Sequence, residues 1–358
     1  MTRPRASSRS LRVLFLTEGR DVPASRFRAE QFFPFFEREG VRCTLVGAYG
    51  KLYNRLHTTP LGGPYKLLTR AARAASGLRA ARYDLVFSQR PALPQSPLPE
   101  RLLARLQPRI VFDFDDAIWL GPGGTPSAAR ERTFRHVVGC ARWVVAGNGY
   151  LARRAAAPEK TTVLPTVVDM DATTPPLKPR GPRAPVVGWM GTAGNLPFLE
   201  AVMPDVLRAV ADTPGARVRI VSNARSRRYE SHPSVEQVGW SRDREVDLLR
   251  SFDVGLMPLP DDELTRGKCG FKMIQYMAVG AAVVASAVGA NPELFAGSGA
   301  GELVPPGESF EPALRALLSS PERRLEAGRR ARHHAVERFG LAPVAARYLE
   351  IFDRVASR

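Results

Sequence analysis

Short apolar runs separated by helix-spaced stretches constrain this chain more than any other feature. LRVLFL (11–16), VRCTLVGA (41–48), DLVFSQ (84–89), RIVFDFDD (109–116) and WVVAGN (143–148) are β-prone and have the length of strands. Helical spacing fills the gaps between them, as over 27–39, where Gly40 is a stop signal. Alternation of this kind predicts an α/β fold, a mostly parallel sheet covered on both faces.

DATTPPLKPRGPRAP (171–185) then interrupts the pattern with proline at a density that neither a helix nor a central strand tolerates. Beyond it the alternation restarts, with strand candidates PVVGWMG (185–191), RVRIVSN (217–223), PSVEQVGW (233–240), DVGLMPL (253–259) and AAVVAS (281–286). A chain of 358 residues is longer than one core usually serves. The expected organisation is a Rossmann-like domain over 1–172, a linker over 173–185, a second such domain over 186–340, and a last helix over 341–358. Ligands of such domains bind outside the carboxyl ends of the strands, in the crevice that two of them leave.

Charge is uneven. Of a formal +17, residues 1–170 carry +14, from 27 Lys and Arg against 13 Asp and Glu. That surface suits an anionic partner, although no motif that reads nucleic acid accompanies it. Cys43, Cys140 and Cys269 are too few and too scattered for a disulfide framework, which points to a reducing compartment. The amino-terminal apolar run has an Arg inside it and is too short for an export signal. The expected location is therefore cytoplasmic, with the basic half available for peripheral contact at the inner face of a membrane. Residues 65–82 are the basic amphipathic stretch that would make it, and a solvated helix explains the same pattern.

The densest chemistry is GKCGFKMIQYMAVGAAVVAS (267–286). Gly267 and Gly270 let backbone N–H groups converge, and a helix from Phe271 opens its unpaired first-turn donors there. Lys268 and Lys272 add two cations, so a diphosphate fits; an ordinary lysine pair beside a helix entry is the plain alternative. Gln275 either reaches inward or caps a loop. SAVGANPELF (286–295) places Gly289, Ala290 and Asn291 in a tight turn whose N–H groups suit phosphate oxygens, or which serves as a turn alone. FDFDD raises Asp113, Asp115 and Asp116 as an Mg²⁺ site, three hard oxygen ligands bunched at a strand end. Arg20, Arg26 and Arg28 are candidates for holding a phosphate. The five histidines lack a carboxylate and nucleophile around them, which disfavours a hydrolase relay.

VGLMPLPDD, TRGKCGFKMIQYMAVGAAVVASAVGANPELF and GELVPP resemble, in order and spacing, the second domain of the retaining GT-B glycosyltransferases, specifically glycosyltransferase family 4. WMGTAGNLPFLEAV and FDFDDAIW are similar to matching regions of a bacterial branch. The resemblance implies a GT-B fold, two Rossmann-like domains facing across a cleft, with the acceptor on the first, where Arg20, Arg26 and Arg28 would meet it, the donor on the second, the last helix packing back on the first, and no bound metal. It implies transfer of a sugar from a nucleoside diphosphate sugar to a sugar-containing or hydroxyl-bearing acceptor with retention, and no tightly bound cofactor. Lys268, Lys272 and the Gly191–Thr192 loop would neutralise the diphosphate, with help from Arg242 or Arg225. Asp115 or Asp116 would orient an acceptor or donor hydroxyl, helix capping being the alternative. Two departures stand out. Gly267 and Gln275 occupy places where many members carry glutamates, and GWMGTAGN lacks the usual Arg and Lys. The contrasting readings are a nucleotide-sugar epimerase and a non-catalytic protein that binds an anionic polymer or membrane surface. A Rossmann oxidoreductase is disfavoured because no G-x-G-x-x-G follows the first strand.

Overall fold

The computed structural model describes residues 10–19, 22–49, 59–175 and 184–357, which fall into two units, Met1–Val167 with Leu341–Arg358, and Val168–Gly340. Arg20 and positions 176–183 of the proline-rich stretch lie outside the described residues.

The first unit contains strands β1 (Leu11–Thr17), β2 (Val41–Gly47), β3 (Leu85–Gln89), β4 (Ile110–Phe114), β5 (Trp143–Ala146) and β6 (Thr161–Val163). They form one parallel sheet in the order β2-β1-β3-β4-β5-β6. Helices α1 (Pro23–Arg28), α2 (Phe33–Arg38), α3 (Gly62–Ser76), α4 (Leu98–Leu106), α5 (Ala128–Cys140) and α6 (Gly149–Ala155) flank it. Every residue of β3 and β4 is buried, as a strand covered on both faces requires. The single helix expected over 27–39 is two short ones, broken at Ala29, where φ is −135°. Pro34 accounts for the break, since it cannot donate to the carbonyl four residues earlier and its ring crowds it.

The second unit contains β7 (Val186–Gly191), β8 (Arg217–Ser222), β9 (Val235–Gly239), β10 (Val254–Met257), β11 (Ala282–Ser286) and β12 (Gly301–Val304), again all parallel, in the order β12-β11-β10-β7-β8-β9. Its helices are α7 (Leu196–Ala211), α8 (Glu245–Arg250), α9 (Glu263–Arg266), α10 (Phe271–Ala278), α11 (Asn291–Phe295), α12 (Glu311–Leu318) and α13 (Pro321–Arg338). Val187, Val218, Val254 and Val284 of the sheet share a core with Leu199 and Met203 of α7 and Leu314 of α12.

The division between the units falls after Val167, ahead of the 172/173 boundary read from the prolines. Arginines of the second unit explain why. Arg332 donates to the carbonyls of Met170 (2.9 Å) and Ala278 (2.6 Å), and Arg250 donates to the carbonyl of Thr174 (3.0 Å), so this turn is tied to the second domain.

The last helix, α14 (Leu341–Ala356), belongs to the first unit. Tyr348 and Phe352 lie among Phe32, Phe36 and Phe87, with ring centroids 5.3–6.4 Å apart. Two parallel sheets, each flanked by helices, make this a GT-B fold of two Rossmann-like domains. Among the described residues no helix is long and apolar enough to cross a membrane.

Candidate functional site

In the second sheet the strand order reverses between β7 and β10, and open parallel sheets bind ligands outside the carboxyl ends at such a point. Gly191 and Thr192 leave β7 there. The segment after β10 reaches α9 through a reciprocal cap in which Asp262 accepts from the Thr265 N–H (2.8 Å) while the Thr265 hydroxyl accepts from the Asp262 N–H (3.2 Å). Lys268 and Gly270 then lead into α10. Gly270 sits in the left-handed region at φ +63°, and a Cβ there would run into Leu294.

Helix α10 packs flush on the sheet. The Tyr276 hydroxyl accepts the Met190 N–H at 3.0 Å, and its ring covers Gly255, so burial pushes the phenol pKa up. This seating places Lys272 over the end of β7. Its Cε is 3.1 Å from where a Cβ on Gly191 would stand, and its ammonium lies 5.8 Å from the centroid of the Trp189 ring. A side chain larger than hydrogen at 191 would run into the Trp189 ring and press on Lys272. Lys272 also stands in the first turn of α10, where the helix dipole favours an anion.

The remaining sequence candidates divide. Lys268 is half-buried on the connection outside the helix, its N–H on the Thr265 carbonyl at 3.0 Å, so helical spacing is not what relates it to Lys272. Phe271 is half-buried at the first position of α10. Gly289 is exposed at φ +61°, and a Cβ there would stand 3.0 Å from the carbonyl oxygens of Thr265 and Arg266. Ala290 is buried. Asn291 departs from its expected role of holding phosphate. It is wholly buried, its N–H donates to the Val288 carbonyl at 3.2 Å, and its Nδ2 donates to the Ser286 carbonyl at 2.9 Å, so both donors are committed to the fold. Thr192 is exposed, and its hydroxyl accepts from Asn195 Nδ2 at 3.0 Å; Arg242 is exposed on the turn before α8.

Gln275 turns inward. Buried on α10, it donates to Glu245 Oε1 at 3.4 Å, while Trp240 Nε1 donates to Glu245 Oε2 at 3.0 Å. Glu245, the first residue of α8, had no signature in the sequence beyond being an acid at a helix start, where the dipole favours it.

Replacing Gly270 with Ala is expected to destabilise the second domain by about 2–4 kcal/mol, the sum of a left-handed alanine and an overpacked contact with Leu294. A thermal unfolding series measures it.

In the first domain Asp113, Asp115 and Asp116 part company. Asp113 is fully buried and receives Arg28 in a bidentate pair, with contacts of 2.7–3.0 Å, and the Tyr348 hydroxyl at 3.3 Å. Arg28 also donates to the Leu164 carbonyl at 2.7 Å and is 1% exposed, which removes it as a ligand for phosphate. The carboxylate keeps this guanidinium protonated against the burial that opposes its charge. Arg26 is half-buried with its guanidinium 4.0 Å from the Phe27 ring centroid.

Asp115 and Asp116 belong to a second cluster at the carboxyl ends of β1, β3 and β4, where the first sheet reverses its order between β1 and β3. Arg90 binds Asp115 at 2.6 Å and Glu18 at 2.9 Å, and approaches Asp116 at 4.0 Å. Arg70 Nε donates to the Tyr49 hydroxyl at 2.6 Å and its Nη2 lies 3.9 Å from Glu18. Asp116 also accepts the Ala117 N–H at 3.0 Å, the turn-capping alternative. Arg90 holds φ at +55°, a conformation uncommon for a side-chain-bearing residue and frequent at functional sites. Sequence reasoning missed Arg90 and Glu18; their position directly after a strand was the available signal. Among the described residues, no group of three or more His, Cys, Asp or Glu is placed to hold a metal ion.

The sequence model of the family described as Glycosyl transferases group 1 matches residues 184–320. No curated protein sequence matches the chain. Among solved structures, HepE of Anabaena in complex with UDP and glucose is similar at a TM-score of 0.63 and 16% identity, covering 96% of this chain and 100% of that one. Sucrose-phosphate synthase of Thermosynechococcus elongatus gives 0.69 and 16%, over 98% and 100%. The catalytic domain of starch synthase IV of Arabidopsis thaliana, bound to ADP and acarbose, gives 0.73 and 12%, over 98% and 100%.

Proposed function

We propose, from a second domain that matches the group 1 glycosyltransferases and a chain that folds as GT-B, that this protein moves a sugar from a nucleoside diphosphate sugar to a hydroxyl-bearing acceptor with retention. The observation that carries the reading is the seating of Lys272 against Gly191 and Trp189, at the reversal point of the second sheet and the mouth of α10.

The donor diphosphate lies there, facing Lys272, Lys268 and the first-turn N–H groups of α10. In the reaction the bond from the anomeric carbon to the diphosphate breaks and its electron pair leaves with the phosphate. An acceptor oxygen bonds to the same carbon on the same face, and its proton passes to an oxygen of the departing diphosphate. Charge therefore grows on the leaving diphosphate, where fixed cations and oriented N–H groups stabilise the transition state more than the ground state. No step requires a bound cofactor. The acceptor is read at the Glu18, Arg90, Asp115 and Asp116 cluster of the first domain, whose mixed charges suit a sugar's hydroxyls. The protein is read as cytoplasmic, in peripheral contact with a membrane.

HepE was solved in complex with UDP-glucose, which makes uridine diphosphate sugars the first donors to test. Mass spectrometry of donor consumption by the full chain, across uridine, guanosine and adenosine diphosphate sugars with mixed glycan and lipid-linked acceptors, is the experiment. Acceptor-dependent release of one nucleoside diphosphate is expected. Isomerised donor formed without acceptor would favour an epimerase instead.

A further inference from the structure

Helix α3 is turned inside out. Arg73 in its last turn is buried, and its Nη2 donates to the carbonyls of Leu16 (3.0 Å), Gln89 (2.7 Å) and Arg90 (2.9 Å) at the ends of β1 and β3. The opposite face is apolar and open to solvent. Leu61, Pro64, Leu68, Ala71, Ala75 and Leu78 are all exposed and follow one another at steps of three and four, the spacing of a single helical stripe. Leu67 and Leu68 are 63% and 70% exposed.

Soluble chains rarely leave a contiguous stripe of this kind uncovered, and here the core side is spent on an arginine instead. The surface continues. Ala80 of the turn after α3 and Leu103 of α4 share one core, and α4 presents Leu98, Leu102 and Leu106 outward at steps of four.

Charge decides the occupant. Residues 59–82 contain no Asp or Glu, and the one acid of α4, Glu100, is buried and accepts the Ala92 N–H at 2.6 Å. Arg79, Arg82, Arg101 and Arg105 are exposed. A second copy of the chain docking through this face about a twofold axis would set arginine against arginine. A surface that is apolar below and anionic above has no such conflict.

We infer that the outer face of α3, with the turn after it and α4, docks on an anionic lipid bilayer. Leucines enter the boundary between headgroups and acyl chains while arginines meet lipid phosphates, as interfacial helices do.

Vesicle flotation of the full chain tests this. Vesicles of phosphatidylcholine with one third phosphatidylglycerol should carry the protein at about 0.1 M salt and release most of it at about 0.5 M. Pure phosphatidylcholine should leave it in solution. The double variant Leu67→Glu/Leu68→Glu should lower partition onto the anionic vesicles at least about tenfold. Arg79→Ala/Arg82→Ala should lower it less. The glutamates are placed at exposed positions, so the melting temperature and nucleoside diphosphate binding should stay unchanged. Three results overturn the inference: wild type that stays in solution with anionic vesicles, a leucine double variant that floats as well as wild type, or lipid-free dimers that this variant dissociates. Saturable RNA binding that anionic vesicles fail to compete away would also overturn it, in favour of a nucleic-acid surface.

Discussion

Replacing Lys272 with Ala is expected to reduce donor turnover at least about tenfold, a loss above about 1.4 kcal/mol of barrier stabilisation. The side chain is half-buried over Trp189 and Gly191, so its removal opens no core cavity and the fold should melt as before. The loss should fall mainly on kcat, because the charge that Lys272 faces is largest when the diphosphate departs. Lys272→Arg should not restore activity, since a guanidinium is broader than the ammonium that fits beside Gly191. Lys268→Ala should act in the same direction. Steady-state kinetics on the donor identified by the panel measure all three, and wild-type turnover in Lys272→Ala would remove its assigned role.

The second large effect is on stability. Arg28→Ala should destabilise the first domain by about 3–5 kcal/mol, because it strands the fully buried Asp113 carboxylate without its guanidinium partner. Burial already pushes the pKa of Asp113 up, with Arg28 opposing that shift, so removing the guanidinium leaves the upward push unbalanced. The variant carboxyl then titrates above its unfolded value. Its stability should be greatest at acid pH and fall as pH rises through that raised value. Tyr348 donates to the same carboxylate, so amide exchange over Leu341–Ala356 should quicken in the variant. Arg28→Met/Asp113→Leu should recover most of the loss, as apolar replacements of buried pairs do. Calorimetry and hydrogen exchange read these effects; a change under about 1 kcal/mol in Arg28→Ala would contradict the pairing.

These two arginine and lysine sites also show what the sequence disclosed. Strands were legible because a parallel sheet covered on both faces needs near-continuous apolar runs, and β7 and β10 have them. Lys268 and Lys272 were legible as an anion site from glycines beside a helix entry. Their surroundings were not. Spacing along the chain says nothing of Lys272 meeting Gly191, since that contact depends on how α10 sits across β10 and β7. Arg28 was read as a candidate for a phosphate because an arginine in a loop-and-helix stretch ordinarily reaches solvent; only the fold brings Asp113 and the Leu164 carbonyl to it. Arg90 and Glu245 are charged residues without a motif, and each gains meaning from partners on distant elements. Asn291 misled for the converse reason, since a turn rich in glycine looks the same whether its amide faces a ligand or the core.

A crystal structure of the full chain soaked with UDP tests the central claim most directly. The account predicts both phosphates at the carboxyl end of β7, beside Gly191 and within hydrogen-bond reach of the Lys272 ammonium. Phosphates bound beyond the first sheet, or anywhere out of reach of both Lys268 and Lys272, would contradict it.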